Sequence, residues 1–220
     1  MKLNQFIILG LGRFGSSVGK ELIELGYEVL GVDRDEEKVQ EMSPVLTHAL
    51  AADATEEEVL RSIGARNFDC GIVAIGDDIQ ASILAAILLK DLGVKKVVAK
   101  AVSELHGRVL ERVGVDRVIY PERDMGVRVA HQLVSPNLLD YIEISRQYTI
   151  AELAVPDCWA GKSLAEVNPR GRYGCSIVAI HKPKGIIIAP TATDVLAPKD
   201  VMVVIGTNEQ IEALQESAAQ

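Results

Sequence analysis

The sequence predicts an α/β protein: a doubly wound parallel sheet followed by a small, strand-dominated α+β lobe. Three observations support this. Up to about residue 120, short β-branched runs alternate with amphipathic stretches, the pattern of strands joined by helical crossovers. Hydrophobic residues make up 48% of the chain but aromatic residues only 4%, which is typical of strands buried on both faces. The pattern then changes after Ser135-Pro136-Asn137.

The first part of the chain contains alternating apolar runs and amphipathic stretches, and each crossover is long enough to join parallel neighbours. The predicted strands are Gln5–Leu9, Glu28–Val32, Thr47–Ala51, Cys70–Ile75, Lys96–Lys100 and Arg117–Tyr120. The predicted helices are Phe14–Leu25, Glu36–Met42, Glu56–Ile63, Ile79–Leu92, Leu105–Val113 and Arg123–Val134.

A domain boundary is predicted at Pro136, because the residue before a proline is pushed out of the helical region. It divides the chain into residues 1–135 and 136–220. In the second part, the predicted strands are Tyr148–Val155, Cys175–His181, Gly185–Ile188 and Val201–Ile205, and the predicted short helices are Ser163–Val167 and Glu209–Glu216.

Charge and composition exclude several classes of protein. The formal net charge is −8 and neither part is basic, which argues against binding nucleic acid or an anionic membrane surface. Cys70, Cys158 and Cys175 show no metal or redox spacing, so we expect buried thiols in a reducing cytosol. The longest apolar stretch, Ile79–Leu89, is interrupted by polar residues. We therefore expect a cytoplasmic protein without a membrane segment of its own.

The strongest local signal is the segment Gly10-Leu11-Gly12-Arg13-Phe14-Gly15, between the first predicted strand and the first helix. In this pattern Gly10 permits a tight turn, Gly12 lets the backbone approach a phosphate, and Gly15 lets the helix pack closely on the strand. The helix amides then face the anion. Asp33 ends the second strand, where its carboxylate can accept hydrogen bonds from both ribose hydroxyls. An acidic residue at this position disfavours a nucleotide with a 2′-phosphate. Together they predict a Rossmann-like nucleotide site.

Further candidates follow the other strands at the same edge of the sheet. Asp53-Ala54 follows the third strand, Ile75-Gly76-Asp77 the fourth, and Lys100 closes the fifth. Asp53 could accept a hydrogen bond from the exocyclic amine of adenine, or it could equally cap the next helix. Lys100 could be a ligand or a solvated strand end.

An enzyme is one class of protein that such a nucleotide site could serve. A dehydrogenase needs a substrate domain and a positioned acid or base, and the chain leaves little room for either. No tyrosine has a lysine four residues later, and the four histidines show no metal spacing. A small NAD-dependent oxidoreductase and a free-standing nucleotide or redox sensor both remain open as functions.

The sequence resembles the RCK (regulator of potassium conductance) subunits of bacterial Ktr/Trk potassium uptake systems over essentially its whole length. The Ktr regulators are the most similar group. The residues that carry the resemblance are Gly10–Gly15, Asp33, Asp53–Thr55, Val73–Gly76, Ile79–Ser82, Lys100–Ala101, Tyr120–Gly126, Leu139–Tyr141 and Arg170–Cys175.

The resemblance implies a regulatory protein that is not an enzyme and that binds ATP or ADP, and also NAD or NADH. It further implies a crossover segment that pairs two chains, with the dimers forming an octameric ring. That ring would lie at the inner face of the cell membrane, under a separately encoded potassium-translocating subunit. The implied nucleotide contacts are Gly10, Gly12, Arg13, Phe14, Gly15, Asp33, Arg34, Asp53, Ala54, Ile75, Gly76, Asp77, Lys100, Ala101, His106 and Glu122.

Two further ligands are implied. Glu122 corresponds to a family carboxylate that binds a divalent cation, Mg²⁺ or Ca²⁺, at the dimer interface; following Pro121, it is also a favourable helix-start residue. For the nucleotide itself, Arg13 lies beside the phosphate-binding amides and could bind a γ-phosphate, which ADP lacks. In the second lobe the family pattern implies cyclic di-AMP, although Pro169 and Gly171 depart from it. The implied contacts are Arg170, Tyr173, Gly174, Ile177 and Pro190.

Overall fold

The computed structural model describes residues 4–134, 138–145 and 147–218. Contacts divide the chain into two compact units, Met1–Arg123 and Asp124–Gln220. We call these the first and the second unit. The predicted boundary at Ser135-Pro136-Asn137 lies outside the described residues, so the division into residues 1–135 and 136–220 remains a prediction.

The first unit is built on a parallel sheet, as predicted. Its strands are β1 (Gln5–Leu9), β2 (Glu28–Asp33), β3 (His48–Ala51), β4 (Cys70–Val73), β5 (Val97–Lys100) and β6 (Arg117–Ile119). They lie in the order β3-β2-β1-β4-β5-β6, so the order reverses between β1 and β4. This is the doubly wound arrangement.

The helices of this region follow the predicted ones within one or two residues. They are α1 (Arg13–Glu24), α2 (Glu36–Met42), α3 (Glu57–Ser62), α4 (Ile79–Asp91) and α5 (Glu104–Arg112), followed by α6 (Pro121–Val134), which begins in the first unit and continues into the second. Asp35, Asp78 and Ser103 cap α2, α4 and α5 with their side chains. In the part of the chain that the structure describes, no helix combines the length and the apolar character needed to cross a membrane.

Successive residues of β1 point into different hydrophobic clusters. Ile7 and Leu9 lie in one cluster with residues of α4, whereas Phe6 and Ile8 lie in a second cluster that includes Val29. These four side chains are buried, whereas Gln5, the first residue of β1, is exposed. Because both faces of the strand are covered, it reads as a continuous apolar run rather than an alternating one.

The second unit contains an antiparallel sheet with short helices, which confirms the predicted α+β lobe. Its strands are β7 (Leu138–Glu143), β8 (Tyr148–Ala154), β9 (Ser176–Lys182), β10 (Gly185–Ile188) and β11 (Val201–Thr207), in the order β10-β9-β11-β8-β7. The helices are α7 (Leu164–Val167), α8 (Pro169–Tyr173) and α9 (Asn208–Ala218).

Strand β7 and helix α8 of the second unit were not predicted. The pairing of β7 with β8 shifts register between Leu138 and Asp140, and such a shift breaks the alternating pattern by which a strand is identified. Helix α8 has only five residues, too few to show helical periodicity. It begins at Pro169 after Asn168, whose φ of 48° is left-handed and whose side chain caps the helix.

Candidate nucleotide-binding site

The first unit has a cleft at the carboxyl ends of its strands, where the strand order reverses between β1 and β4. Open α/β sheets bind ligands at this position. The residues lining the cleft come from the loops after β1, β2, β3 and β4 and from the starts of α2 and α4. They are Gly10, Gly12, Val32, Asp33, Arg34, Lys38, Ala52, Asp53, Ala54, Thr55, Ala74, Ile75, Gly76, Asp77, Asp78 and Ala81.

The three glycines of the first loop have different surroundings. Gly10 has a φ of +100°, and a Cβ there would lie 3.0 Å from the backbone of Ala74 and Ile75. At Gly15 a Cβ would lie 1.9 Å from the carbonyl oxygen of Gly10, so α1 packs directly on the loop. A Cβ at Gly12 would meet nothing within 4 Å. The loop therefore needs glycine for packing at two positions and leaves open space at the third.

The N-terminus of α1 opens from this loop without a capping side chain. Gly12 occupies the N-cap position, and the first turn contains no acidic residue. The first amides of a helix have no intrahelical partner, and their dipoles favour an anion. The arrangement suits a phosphate group beside Gly12.

Asp33 connects the glycine loop to the turn before α2. Its Oδ2 accepts a hydrogen bond from the Leu11 amide at 2.7 Å, and its Oδ1 accepts one from the Asp35 amide at 2.9 Å. Each carboxylate oxygen can accept a second hydrogen bond. Asp33 can therefore hold the loop and still accept ribose hydroxyls in the cleft.

Asp53 does not cap the following helix, so one of its two predicted roles is wrong. The N-cap position of α3 is occupied by Glu56. Asp53 Oδ1 instead accepts hydrogen bonds from the Thr55 hydroxyl at 2.6 Å and the Thr55 amide at 2.8 Å. These bonds, and the nearby charge of Arg34, lower the pKa of Asp53. Asp53 thus faces the cleft as a carboxylate.

Three charged residues lie beside the cleft. Lys100 Nζ donates a hydrogen bond to Glu122 Oε1 at 2.6 Å. This bond, with a further contribution from the charge of Arg13, lowers the pKa of Glu122. The Lys100 side chain is only 13% exposed, so it is not the solvated strand end that the sequence left open. A Cβ at Gly76 would lie 3.3 Å from Lys100 Nζ, which places the ammonium group against the wall of the cleft.

Some predicted contact residues do not line the cleft. Phe14 packs against the hydrophobic cluster of β1 and β2, and Ala101 is buried, with its amide bonded to Ile119. His106 is 2% exposed, and burial lowers its pKa. Its Nδ1 accepts a hydrogen bond from the Val102 amide at 3.4 Å, whereas Nε2 has no partner among the described residues.

Sequence reasoning missed other lining residues. Lys38 and Ala81 lie in the first turns of α2 and α4, Asp78 caps α4, and Thr55 bonds to Asp53. Their position in the sequence was the available signal. The first turn of each helix that follows a strand lies at the edge of the sheet where the strands end. Lys38 also forms a 3.4 Å ion pair with Asp35.

The residues implied for a second ligand all lie in the second unit. Arg170 and Tyr173 are on α8, Gly174 caps that helix, Ile177 is on β9 and Pro190 follows β10. Arg170 is exposed. The ring of Tyr173 stacks on Trp159 at 6.1 Å, so Tyr173 has a structural role in a single chain. The amide of Ala189 bonds to the Val178 carbonyl, which brings Pro190 next to β9.

Two protein families match the chain. The TrkA-N domain matches residues 6–121 and the TrkA-C domain residues 150–219. Among curated proteins, the chain is 44% identical over 212 residues to the Ktr system potassium uptake protein C of Bacillus subtilis, covering 96% of each. It is 35% identical over 207 residues to the Ktr system potassium uptake protein A of Vibrio alginolyticus, covering 94% of each.

Solved structures are similar at the level of the fold. The GsuK channel bound to NAD superposes with a TM-score of 0.53 at 26% identity, covering 100% of this chain and 39% of that one. The chain therefore spans well under half of GsuK. The Shewanella denitrificans Kef CTD in its AMP-bound form has a TM-score of 0.54 at 25% identity, covering 60% of this chain and 81% of that one.

Proposed function

Because the chain belongs to the family of Ktr-system potassium uptake proteins with TrkA-N and TrkA-C domains, we propose that it is the cytosolic regulatory subunit of a potassium uptake system. The family resemblance found in the sequence is confirmed. The curated relatives are named as potassium uptake proteins rather than as enzymes, which agrees with the prediction of a non-enzymatic role. The protein would act at the inner face of the membrane, through a potassium-translocating partner subunit.

The observation that carries this proposal is the cleft, in which an uncapped helix N-terminus and the carboxylate of Asp33 face the same space. A phosphate fits beside Gly12 at the start of α1, and a ribose fits at Asp33. Asp53 can then accept a hydrogen bond from the adenine amine. The NAD and AMP in the two similar structures both contain a 5′-phosphorylated adenosine, which supports an adenine nucleotide here.

Arg13 supplies the distinction between ATP and ADP. It is exposed at the first position of α1, beside the amides that suit a phosphate. A guanidinium group there can bond to a γ-phosphate. Binding of ATP and of ADP then stabilises different geometries of the assembled ring, and the membrane subunit responds to the difference.

Glu122 would hold a divalent cation together with the nucleotide. Mg²⁺ is usually bound by one or two carboxylates and by substrate phosphates. Among the described residues there is no cluster of three or more His, Cys, Asp or Glu side chains that could hold a metal ion. We infer that the remaining ligands of a cation at Glu122 would be the phosphates and a second copy of the chain.

The nucleotide proposal is tested by calorimetric titration with ATP, ADP, NADH and cyclic di-AMP. We expect both ATP and ADP to bind. Arg13→Ala should weaken the binding of ATP about 10- to 100-fold more than the binding of ADP, which is the effect of losing one charged hydrogen bond. Arg61→Ala is the matched control, because Arg61 pairs with Glu57 on α3. Equal losses for ATP and ADP would contradict the role of Arg13, and binding of NADH alone would favour a redox sensor.

The same titration tests the second ligand. We propose that cyclic di-AMP binds the second unit through Arg170, which is exposed on α8. Arg170→Ala should remove cyclic di-AMP binding and leave ATP binding unchanged.

Helix α6 supports the pairing of two chains. None of its described side chains is buried, and Met125, Val127, Val129 and Leu133 are exposed. Exposed apolar side chains repeated along one helix mark an interaction surface. We propose that a second copy of the chain covers them, and that such dimers build the octameric ring.

Leu133→Lys should dissociate these dimers. Leu133 is 79% exposed in a single chain, and a two-fold interface loses the side chain twice. The expected loss is about 3 to 6 kcal/mol per dimer, which light scattering would detect as a shift to monomers. Leu25→Lys, at an equally apolar site 61% exposed after α1, should leave the mass unchanged. A Leu133→Lys protein that keeps the wild-type mass would exclude α6 as the interface.

A further inference from the structure

The ion pair between Lys100 and Glu122 joins the nucleotide cleft to the candidate cation site. Their Nζ and Oε1 atoms are 2.6 Å apart, and the two side chains are 13% and 67% exposed. The carboxylate is therefore open to solvent, whereas the lysine stem is enclosed. An ion arriving from solution can reach Glu122, but it meets a carboxylate that is already paired.

Lys100 is not itself a lining residue of the cleft, but its head group lies beside one. Its Nζ lies 3.3 Å and its Cε 3.6 Å from the position of a Cβ on Gly76, a residue that lines the cleft. Lysine is a compact charge on a flexible four-carbon stem. A small rotation of that stem can exchange one anionic partner for another.

We propose that Lys100 is a switch between Glu122 and the nucleotide phosphates. Without nucleotide its ammonium group is paired with the Glu122 carboxylate and opposes the binding of a divalent cation there. When a phosphate enters the cleft, Lys100 turns to it and releases Glu122 for the cation. The inference rests on the proposed function, since it requires a nucleotide in the cleft and a cation at Glu122.

A switch of this kind couples the two ligands through one side chain. The cation and the ammonium group repel each other if both lie at Glu122, so each phosphate contact made by Lys100 favours cation binding. Because coupling between binding sites is reciprocal, the cation must also favour the nucleotide.

Lys100→Met separates the switch from other roles of the lysine. Mn²⁺ is titrated into nucleotide-free protein and its free concentration is followed by electron paramagnetic resonance; ADP is titrated by calorimetry in the presence of EDTA. We expect Lys100→Met to tighten Mn²⁺ binding about 10-fold, since it removes a positive charge a few ångströms from the ion. It should weaken ADP binding about 10-fold or more. A fixed charge near both sites would also give effects of opposite sign. The switch additionally requires that Lys100→Met no longer tighten Mn²⁺ binding once the nucleotide site is saturated with ADP, because the lysine has then left Glu122.

Two control variants complete the experiment. Arg13→Met removes a charge near Glu122 that makes no hydrogen bond to it, and should tighten Mn²⁺ binding about twofold at most. Lys90→Met breaks a 3.0 Å ion pair with Asp116 elsewhere in the first unit, and should leave both affinities unchanged.

The outcomes distinguish this inference from the proposed function. If the wild type binds ADP and Mn²⁺ but Lys100→Met leaves Mn²⁺ affinity unchanged or weaker, the switch is wrong and the nucleotide site stands. Equal tightening by Arg13→Met and Lys100→Met would also overturn the switch, because it would reflect net charge alone. If the wild type binds neither ligand, the proposed function falls, and the switch with it.

Discussion

Gly15→Ala is expected to abolish nucleotide binding and to lower the free energy of unfolding of the protein by about 3 kcal/mol, the upper part of the range for overpacking a tight site. The added methyl group would lie 1.9 Å from the carbonyl oxygen of Gly10 and 3.1 Å from the Cβ of Ala74. These atoms belong to the loop and to the chain after β4, so neither can move without displacing the cleft. Urea denaturation and ADP calorimetry measure the two effects.

Gly12→Ala is the matched control, because it separates the ligand from the packing. Gly12 has φ −67° and ψ −176°, which alanine adopts readily, and nothing lies within 4 Å of the added carbon. We expect stability to change by no more than about 0.5 kcal/mol, whereas ADP affinity falls because the methyl group fills the space for a phosphate. If Gly12→Ala binds ADP as the wild type does, the phosphate does not lie at this loop.

Asp33→Asn should weaken ADP binding about 100-fold. Two ribose hydroxyls bonded to a carboxylate contribute about 1.5 to 3 kcal/mol each, and asparagine replaces one of the accepting oxygens with a donor. The remaining amide oxygen can still accept a hydrogen bond from Leu11 or Asp35, the backbone donors that Asp33 holds. The effect should therefore appear in affinity more than in stability.

Nucleotides lacking one hydroxyl test whether Asp33 acts on the ribose. The wild type should prefer ADP to 2′-deoxy-ADP by about 10-fold, the value of one charged hydrogen bond. In Asp33→Asn this preference should largely disappear. A variant that keeps the full preference would mean that Asp33 acts only by holding the glycine loop, and that another residue reads the ribose.

Much of the first unit could be predicted from sequence because its signals are local. The apolar run Gln5–Leu9 matched β1 to the residue, and the positions of Gly10, Gly12 and Gly15 indicated a turn, an open approach and a close packing contact before any neighbour was known. Turn geometry and helix packing depend on residues a few positions apart. By contrast, β7 escaped prediction because its register shift erases the alternation of buried and exposed side chains.

The pattern of residues along the chain was sufficient to establish the doubly wound sheet, the glycine loop and the carboxylate of Asp33 at a strand end. Residues distant in sequence required the folded chain. Lys100 and Glu122 are 22 positions apart. No periodicity in the sequence indicates that the stem of Lys100 is enclosed while the carboxylate of Glu122 stays open to solvent. Phe14, which lies next to the loop glycines, packs against the core rather than lining the cleft, whereas Lys38, which was not predicted, does line it. The physical reason is that periodicity identifies the face of a helix or strand, whereas the partner of a long side chain depends on which elements the sheet order places beside it.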